Sequence, residues 1–542
     1  MAWWCAVVAV AMALIDAWGN RYDLNPDGIS YIELARAVAT GGPHAAVNGY
    51  WSPGYPLLIA PVVALVRSGW SVLIPLLHAV NVVLCSLAVV LYVAVLQRLA
   101  RPWQDDDNPV GRYATAAGIA CGTAVAIESI GFGLLTPDIA VMLMVVATAE
   151  CAITLDESGS AMMPFIAFGA ILGAGYWIKG ILLPLDVLLL ALLILMPPRV
   201  ERARMKLGVA GVVFALVCAP LIANVSGRLG RVTVGDVGRL NYAWAVDGVM
   251  PFIGWQGDSA PRFGVPSHPP RTLWPHPRTI EFATPVSGTY PLWYDPSYWY
   301  AGVRPRFDFA GQWSALRQGA ADLVLVILGQ WATILAMILI WYATVRDRGR
   351  SARSRMPVVL AVWAVGAALV YALVHVESRY LAGFILTLVA SYWAKMMSRR
   401  GRRGTRWALA AALGMLTISV TVNLYRNSGG FALTYRPGYL AEADTLHRLG
   451  VGAGAPVAAI GDAFEQYAAF AGGTPIVAQV LDSTGFWDAT PASRLAITER
   501  LSRIGVRALL ANNVSPEMQA EGWHLIARPD SANLGILPLP RP

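Results

Sequence analysis

Ser71-Val-Leu-Ile-Pro-Leu-Leu-His-Ala-Val-Asn-Val-Val-Leu-Cys-Ser-Leu-Ala-Val-Val-Leu-Tyr-Val-Ala-Val-Leu96 contains no Asp, Glu, Lys or Arg. As a helix it is long enough for the roughly 30 Å hydrocarbon layer of a bilayer, which takes about 20 apolar residues. Runs of this kind recur from the amino terminus to about Leu424. Upstream lies Trp3 to Ala17, read as a spanning helix because it lacks the basic start and small-residue cleavage site of a secretion signal. Downstream come Ala114 to Leu134, Ile139 to Leu155, Met163 to Ile178, Ile181 to Met196 and Leu207 to Ile222. Leu323 to Val345, Pro357 to Val374, Leu381 to Ala394 and Trp407 to Leu424 complete about eleven predicted spans. Tyr55 to Val66 is too short and is placed at the interface.

Composition agrees with this reading. Apolar residues make up 56% of the chain and charged residues 14%, whereas a soluble domain carries roughly 25% charge. Cys5, Cys85, Cys121, Cys151 and Cys218 all fall inside apolar runs, which implies neither a disulfide framework nor a cysteine metal site. The net charge of +8 comes from arginines clustered between apolar runs, as the orientation rule for membrane proteins expects, and argues against nucleic acid as a partner.

The same clusters orient the chain. With odd-numbered spans running outward, the cytoplasmic loops hold Arg98/Arg101/Arg112, Arg199/Arg202/Arg204/Lys206, Arg346 to Arg355 and Lys395 to Arg406. The outer face then receives a first loop (19–54), a long loop (224–320) and the carboxyl-terminal segment. From about Tyr439 to Pro542, strand-length apolar runs (Val457 to Ile460, Ile476 to Val480, Ala508 to Ala511) alternate with helical patterns. The expected fold class is therefore a polytopic α-helical membrane protein, with a transmembrane module over 1–424 and an extracytoplasmic α/β domain over 425–542.

Chemistry is expected where ionisable residues meet the outer face, because charge within the apolar layer is costly and is kept for a reason. Asp27 opens a helix-like stretch, where capping of backbone N–H groups is the alternative to a reactive carboxylate. Asp138 follows Pro137 and can also cap, whereas Glu128 interrupts an apolar run and needs a partner; both can face one outer cavity. Only three lysines occur, and Lys179 alone lies outside the basic cytoplasmic loops. It reads either as a snorkelling side chain or as a point charge for a phosphate. Arg379, in His375-Val-Glu377-Ser-Arg379-Tyr380, adds planar donors suited to phosphate oxygens. The aromatic cluster Tyr290 to Tyr300 is read as an interfacial belt in preference to a sugar-stacking surface.

Four stretches, in this order along about 400 residues, resemble the C-type (GT-C) membrane glycosyltransferases that use polyprenyl-phosphate sugars, including the protein O-mannosyltransferase and aminoarabinose transferase branches. They are Pro26-Asp27-Gly-Ile-Ser-Tyr31 to Ala35 with Tyr50-Trp-Ser-Pro-Gly-Tyr55-Pro downstream, Thr136-Pro137-Asp138, Lys179-Gly180, and Ser378-Arg379-Tyr380-Leu381. The resemblance implies an inverting transferase in which Asp27 is the catalytic base and Lys179 and Arg379 receive the donor phosphate. Asp23 is the nearest substitute for Asp27, and Tyr31, Tyr55, Glu128, Asp138, Glu377 and Tyr380 are further site candidates. Many relatives carry two adjacent acids in the first loop, whereas Gly28 follows Asp27 here, so a divalent metal is left open. The implied partners are the lipid bilayer, a polyprenyl-phosphate sugar and a glycan, lipid or protein acceptor, in a bacterial inner membrane with the active side periplasmic. A transporter, or an inactive relative acting as a binding protein, are the alternatives.

Overall fold

A computed structural model describes residues 2–66, 69–100, 109–249, 261–282, 287–344, 355–397, 403–427, 437–464, 466–528 and 532–541. The basic stretches around Arg101, Arg346 and Arg399 lie outside the described residues. The chain begins with α1 (Ala2–Gly19), α2 (Pro26–Gly41), α3 (Gly54–Leu65), α4 (Trp70–Ala100), α5 (Pro109–Ser129), α6 (Asp138–Glu157), α7 (Met163–Ile178), α8 (Leu182–Leu195), α9 (Ala203–Leu229) and α10 (Val237–Ala245). Strands β1 (Arg271–Trp274) and β2 (Thr279–Glu281) and the single turns α11 (Pro291–Tyr294) and α12 (Pro296–Trp299) follow. Then come α13 (Phe309–Gly329), α14 (Trp331–Thr344), α15 (Met356–Ala372), α16 (Ser378–Met397) and α17 (Arg403–Asn427). The last part holds α18 (Gly438–Arg448), β3 (Val457–Ile460), α19 (Tyr467–Gly472), β4 (Ile476–Val480), α20 (Ser483–Asp488), α21 (Pro491–Arg503), β5 (Ala508–Asn512), β6 (His524–Ala527) and β7 (Asn533–Pro538).

Among the described residues, four helices are long and apolar enough to cross a bilayer, or five if α13 and α14 form one span. Six further apolar helices are 10–17 residues long. Most helices extend a few residues beyond the runs read in the sequence, as α9 and α17 do, and two runs differ in kind. The run Leu323 to Val345 is not one helix, because α13 and α14 meet at a 67° bend around Gln330. The run Ala114 to Leu134 stops being helical at Ser129, and an extended turn carries the chain to Pro137.

Small residues let the helices approach closely where the site is built. A Cβ on Gly169 would lie 2.2 Å from the Ala210 carbonyl oxygen, so α7 and α9 touch backbone to backbone. A Cβ on Gly54 would meet the Trp177 carbonyl at 2.6 Å. The start of α3 thus abuts the end of α7, and Gly180 N donates to Ser52 Oγ at 3.0 Å. These contacts fix the backbone on either side of Lys179.

The strands form one sheet of order β1-β2-β4-β3-β5-β7-β6. Its centre, β4-β3-β5, is parallel, and every residue of β3 is buried, as expected of a strand covered on both faces. Two of its strands come from the 224–320 loop: β2 pairs antiparallel with β4, Ile280 opposite Gln479. The sheet is tied to the helices by Ile476 N donating to Thr289 O (2.8 Å) and by Tyr439 Oη donating to Tyr22 O (2.8 Å). Rings add to this: Trp70 lies 4.0 Å from Phe470, with the Arg36 guanidinium 3.7 Å over the Trp70 ring.

Candidate active site

Pro26 sets the backbone for the first turn of α2 and Asn25 stands at the capping position, so Asp27 is the second helical residue. Its carboxylate is directed to other elements: Oδ1 accepts from Trp293 Nε1 at 3.1 Å, and Oδ2 is 3.6 Å from Arg379 Nη2. Burial raises the Asp27 carboxyl above the ordinary carboxylate range, against the opposing pull of Arg379 and the Trp293 hydrogen bond.

Asp138, first residue of α6, is almost fully buried, with 1% of its side chain exposed. Oδ1 accepts from Lys179 Nζ at 2.6 Å, while Oδ2 accepts from Thr136 Oγ1 at 2.7 Å and lies 3.4 Å from Arg379 Nη1. Arg379, at the start of α16, therefore reaches Asp27 and Asp138, and its Nε donates to Glu377. Burial alone would raise the Glu377 carboxyl, but hydrogen bonds from His375 and Arg379 outweigh it and hold it at about 2. Tyr380 completes the group, its Oη donating to Glu377 Oε1 (3.2 Å) and its ring lying 4.0 Å under the Lys179 ammonium. Three carboxylates and two cations from α2, α6, α7 and α16 thus meet in one place.

Tyr31 and Tyr55 lie beneath, buried and edge to face at 5.5 Å, with Tyr55 Oη donating to Asn81 Oδ1 (2.9 Å). Asp23 points elsewhere: its carboxylate sits by Gly133 and Asn20. Glu128 is a correction, because it does not share the cavity of Asp138. Helix α5 turns it toward α17, where Oε1 accepts from Ser419 Oγ and Asn423 Nδ2.

The aromatic cluster also differs from the expected belt. Trp293, Trp299 and Tyr300 are buried, and Trp293 packs between Trp51 (5.4 Å), Trp244 (5.8 Å) and Phe464 (5.0 Å). Ser30 Oγ and Trp51 Nε1 both donate to its backbone carbonyl, at 3.1 and 3.0 Å. Trp293 is the site residue that the sequence reading did not single out; its flanking Pro291 and the density of rings around it were the available signals. Replacing it with phenylalanine removes one hydrogen bond to a charged group, worth about 1.5–3 kcal/mol. Trp293→Phe is expected to move the acidic limb of a pH–rate profile to higher pH by about 1–2 units; a purely structural role would leave the limb in place.

Glu33, two turns after Asp27, accepts from Thr289 N (2.7 Å) and Thr289 Oγ1 (2.5 Å). Burial nevertheless pushes its carboxyl up to about 6. The folded state then holds this proton more tightly than the unfolded chain, so the contribution to stability is present below about pH 4 and is lost as pH rises through about 6. Glu33→Gln is expected to unfold at higher temperature than the native chain at pH 7.5, by about 1–2 kcal/mol of stability, and at about the same temperature at pH 4.5.

A divalent ion would need several free oxygen ligands. Among the described residues no group of three or more His, Cys, Asp or Glu side chains could hold one. Asp138 and Glu377 are already ion-paired with Lys179 and Arg379, so the donor set does not fit a metal.

A helical bundle carrying an acidic first-loop helix, joined to a mixed sheet built from the long loop and the carboxyl-terminal segment, is the fold of the C-type membrane glycosyltransferases. Over 98% of its length the chain is similar to ArnT from Cupriavidus metallidurans bound to undecaprenyl phosphate, with 14% identity, a TM-score of 0.56 and 97% of that chain covered. The apo state of the same enzyme gives 0.54 at 14% identity, with 98% of this chain and 97% of that one covered. The Archaeoglobus fulgidus oligosaccharyltransferase tethered with an acceptor peptide gives 0.50 at 13% identity, covering 98% of this chain and 74% of the other. At these identities the likeness is one of fold. No protein-family model and no curated protein matches the chain.

Proposed function

We propose that the chain is an inverting glycosyltransferase that moves a sugar from a polyprenyl-phosphate donor to an acceptor hydroxyl or amine on the periplasmic face of a bacterial inner membrane. The observation that carries the reading is the Asp27 carboxylate, partly buried and held between Trp293 and Arg379 beside the Lys179–Asp138 pair. The acceptor O–H or N–H attacks the anomeric carbon, its proton passes to Asp27, and the bond from that carbon to the phosphate oxygen breaks with inversion. The phosphate leaves with the electron pair toward Lys179, whose ammonium has three N–H groups and gives one to Asp138. Arg379 takes a different part: engaged with three carboxylates, it orients Asp27 and offsets the charge of its neighbours. Asp23 and Glu128, which face away, have no part in this scheme.

The basic loops support the orientation, and the topology suits a donor delivered within the membrane plane, where the bilayer brings donor and base together. The fold shared with an enzyme solved with undecaprenyl phosphate supports the same donor class. In this reading about eleven helices embed residues 1–424, the shorter ones inside the bundle, and residues 425–542 stand on the periplasmic side. Release of labelled sugar from a polyprenyl-phosphate donor by the purified chain, with and without chelator, tests it. Turnover unaffected by chelator is the expected result, and no turnover with any acceptor extract would favour a transporter.

A further inference from the structure

One face of α2 lines a crevice that shares Trp293 with the Asp27 hydrogen bond. Pro26, Ile29, Ser30 and Glu33 fall at helical spacing on that face, and Tyr290 and Trp293 close a second side. Phe464 and Gln466, from the segment between β3 and α19, close the third. The enclosed part of the crevice has room for a single water- or hydroxyl-sized group, and its mouth is open to solvent.

Gln466 makes this more than a packing gap. It is 2% exposed, and its Nε2 donates to the Asp462 carbonyl at 3.4 Å. Among the described residues Oε1 has no hydrogen-bond partner. A buried amide oxygen left without a donor costs about 1–3 kcal/mol, so the site calls for a ligand N–H or O–H. The opposite wall offers a second acceptor in Glu33, and Trp293, Tyr290 and Phe464 line the remaining sides. Trp293 is also the residue that holds Asp27.

We propose that this crevice is an acceptor subsite for a saccharide: one ring hydroxyl enters and donates to Gln466 Oε1, while the rest of the sugar stays at the mouth of the crevice. The proposal rests on the transferase reading and names its acceptor class. The carboxyl-terminal segment then contributes directly to acceptor choice, since Gln466 and Phe464 belong to it. A free polysaccharide and a lipid-linked glycan present the same ring chemistry to the crevice.

The test uses the full chain in lipid nanodiscs and saturation-transfer NMR with methyl glucoside as the probe, in the native chain, Gln466→Leu, Gln466→Glu and Asp27→Asn, each checked for native unfolding temperature. Saturation transfer to the ring protons is expected in the native chain and in Asp27→Asn. It should fall at least fivefold in Gln466→Leu and return in Gln466→Glu, which keeps an acceptor oxygen in place. No transfer in the native chain, or equal transfer in Gln466→Leu, would overturn the subsite. Binding is read without turnover, so sugar release that survives in Asp27→Asn would remove the base assignment while leaving the crevice result to stand. Adding a polysaccharide or a lipid-linked glycan as competitor distinguishes the two sources by which one abolishes the signal.

Discussion

Asp27→Asn is expected to lower sugar transfer by about 10²–10⁴-fold, the usual contribution of a positioned general base. The substitution keeps the size of the side chain and an oxygen that accepts from Trp293 Nε1. What it removes is the ability to take a proton and the attraction to Arg379 at 3.6 Å. Folded yield should therefore change little, which separates loss of chemistry from loss of structure. In the native chain, turnover should fall on acidification with an apparent pKa above the ordinary aspartate value of about 3.9, because burial raises the Asp27 carboxyl and only its ionised form can act as base. Labelled-sugar release measured from pH 4 to 9, at equal folded yield, checks both points. Transfer within tenfold of native in Asp27→Asn would remove Asp27 as base, and an acid limb near pH 4 would remove the desolvation argument.

Asp138→Ala should have the largest effect on stability, about 3–5 kcal/mol lost, because removing one partner of a buried pair leaves the other charge uncompensated. Here two cations are left, Lys179 at 2.6 Å and Arg379 at 3.4 Å from the deleted oxygens, and the Thr136 hydroxyl loses its acceptor. Thermal unfolding in detergent reads the loss. A second measurement ties it to function: undecaprenyl phosphate should raise the unfolding temperature more in Asp138→Ala than in the native chain, since its phosphate restores the missing negative charge near Lys179. A variant as stable as the native chain would show that the pair is not a structural keystone. Equal shifts with the lipid would argue against phosphate binding at Lys179.

The sequence made the helices legible because lipid-length apolar runs leave few alternatives; Met163 to Ile178 agrees with α7 residue for residue. The buried strands β3 and β4 were equally plain, as short apolar runs bounded by glycine and proline. Side-chain direction was not. Glu128 and Asp138 are ten residues apart, yet an intervening non-helical turn rotates one toward α17 and the other toward Lys179. The break at Gln330 has no proline to announce it. The partnership of Trp293 with Asp27 joins residues 266 positions apart, and no local pattern reports such a pairing. The cations were found because lysine is scarce, but that Asp138 binds both of them follows only from the meeting of α6, α7 and α16.

The pairing of β2 with β4 also has a consequence in time. Ile280 leaves the ribosome about 200 residues before its partner Gln479, a gap of roughly 10–40 s at 5–20 residues per second. The contacts of Trp293 with the sheet side, through the Ile476–Thr289 hydrogen bond and the Phe464 ring, form only toward the end of that gap, whereas those with Ser30, Trp51 and Trp244 involve residues made earlier. The nascent chain thus has the helix-side packing of Trp293 within reach while the helices insert, and the sheet-side contacts are added only once β4 has been made.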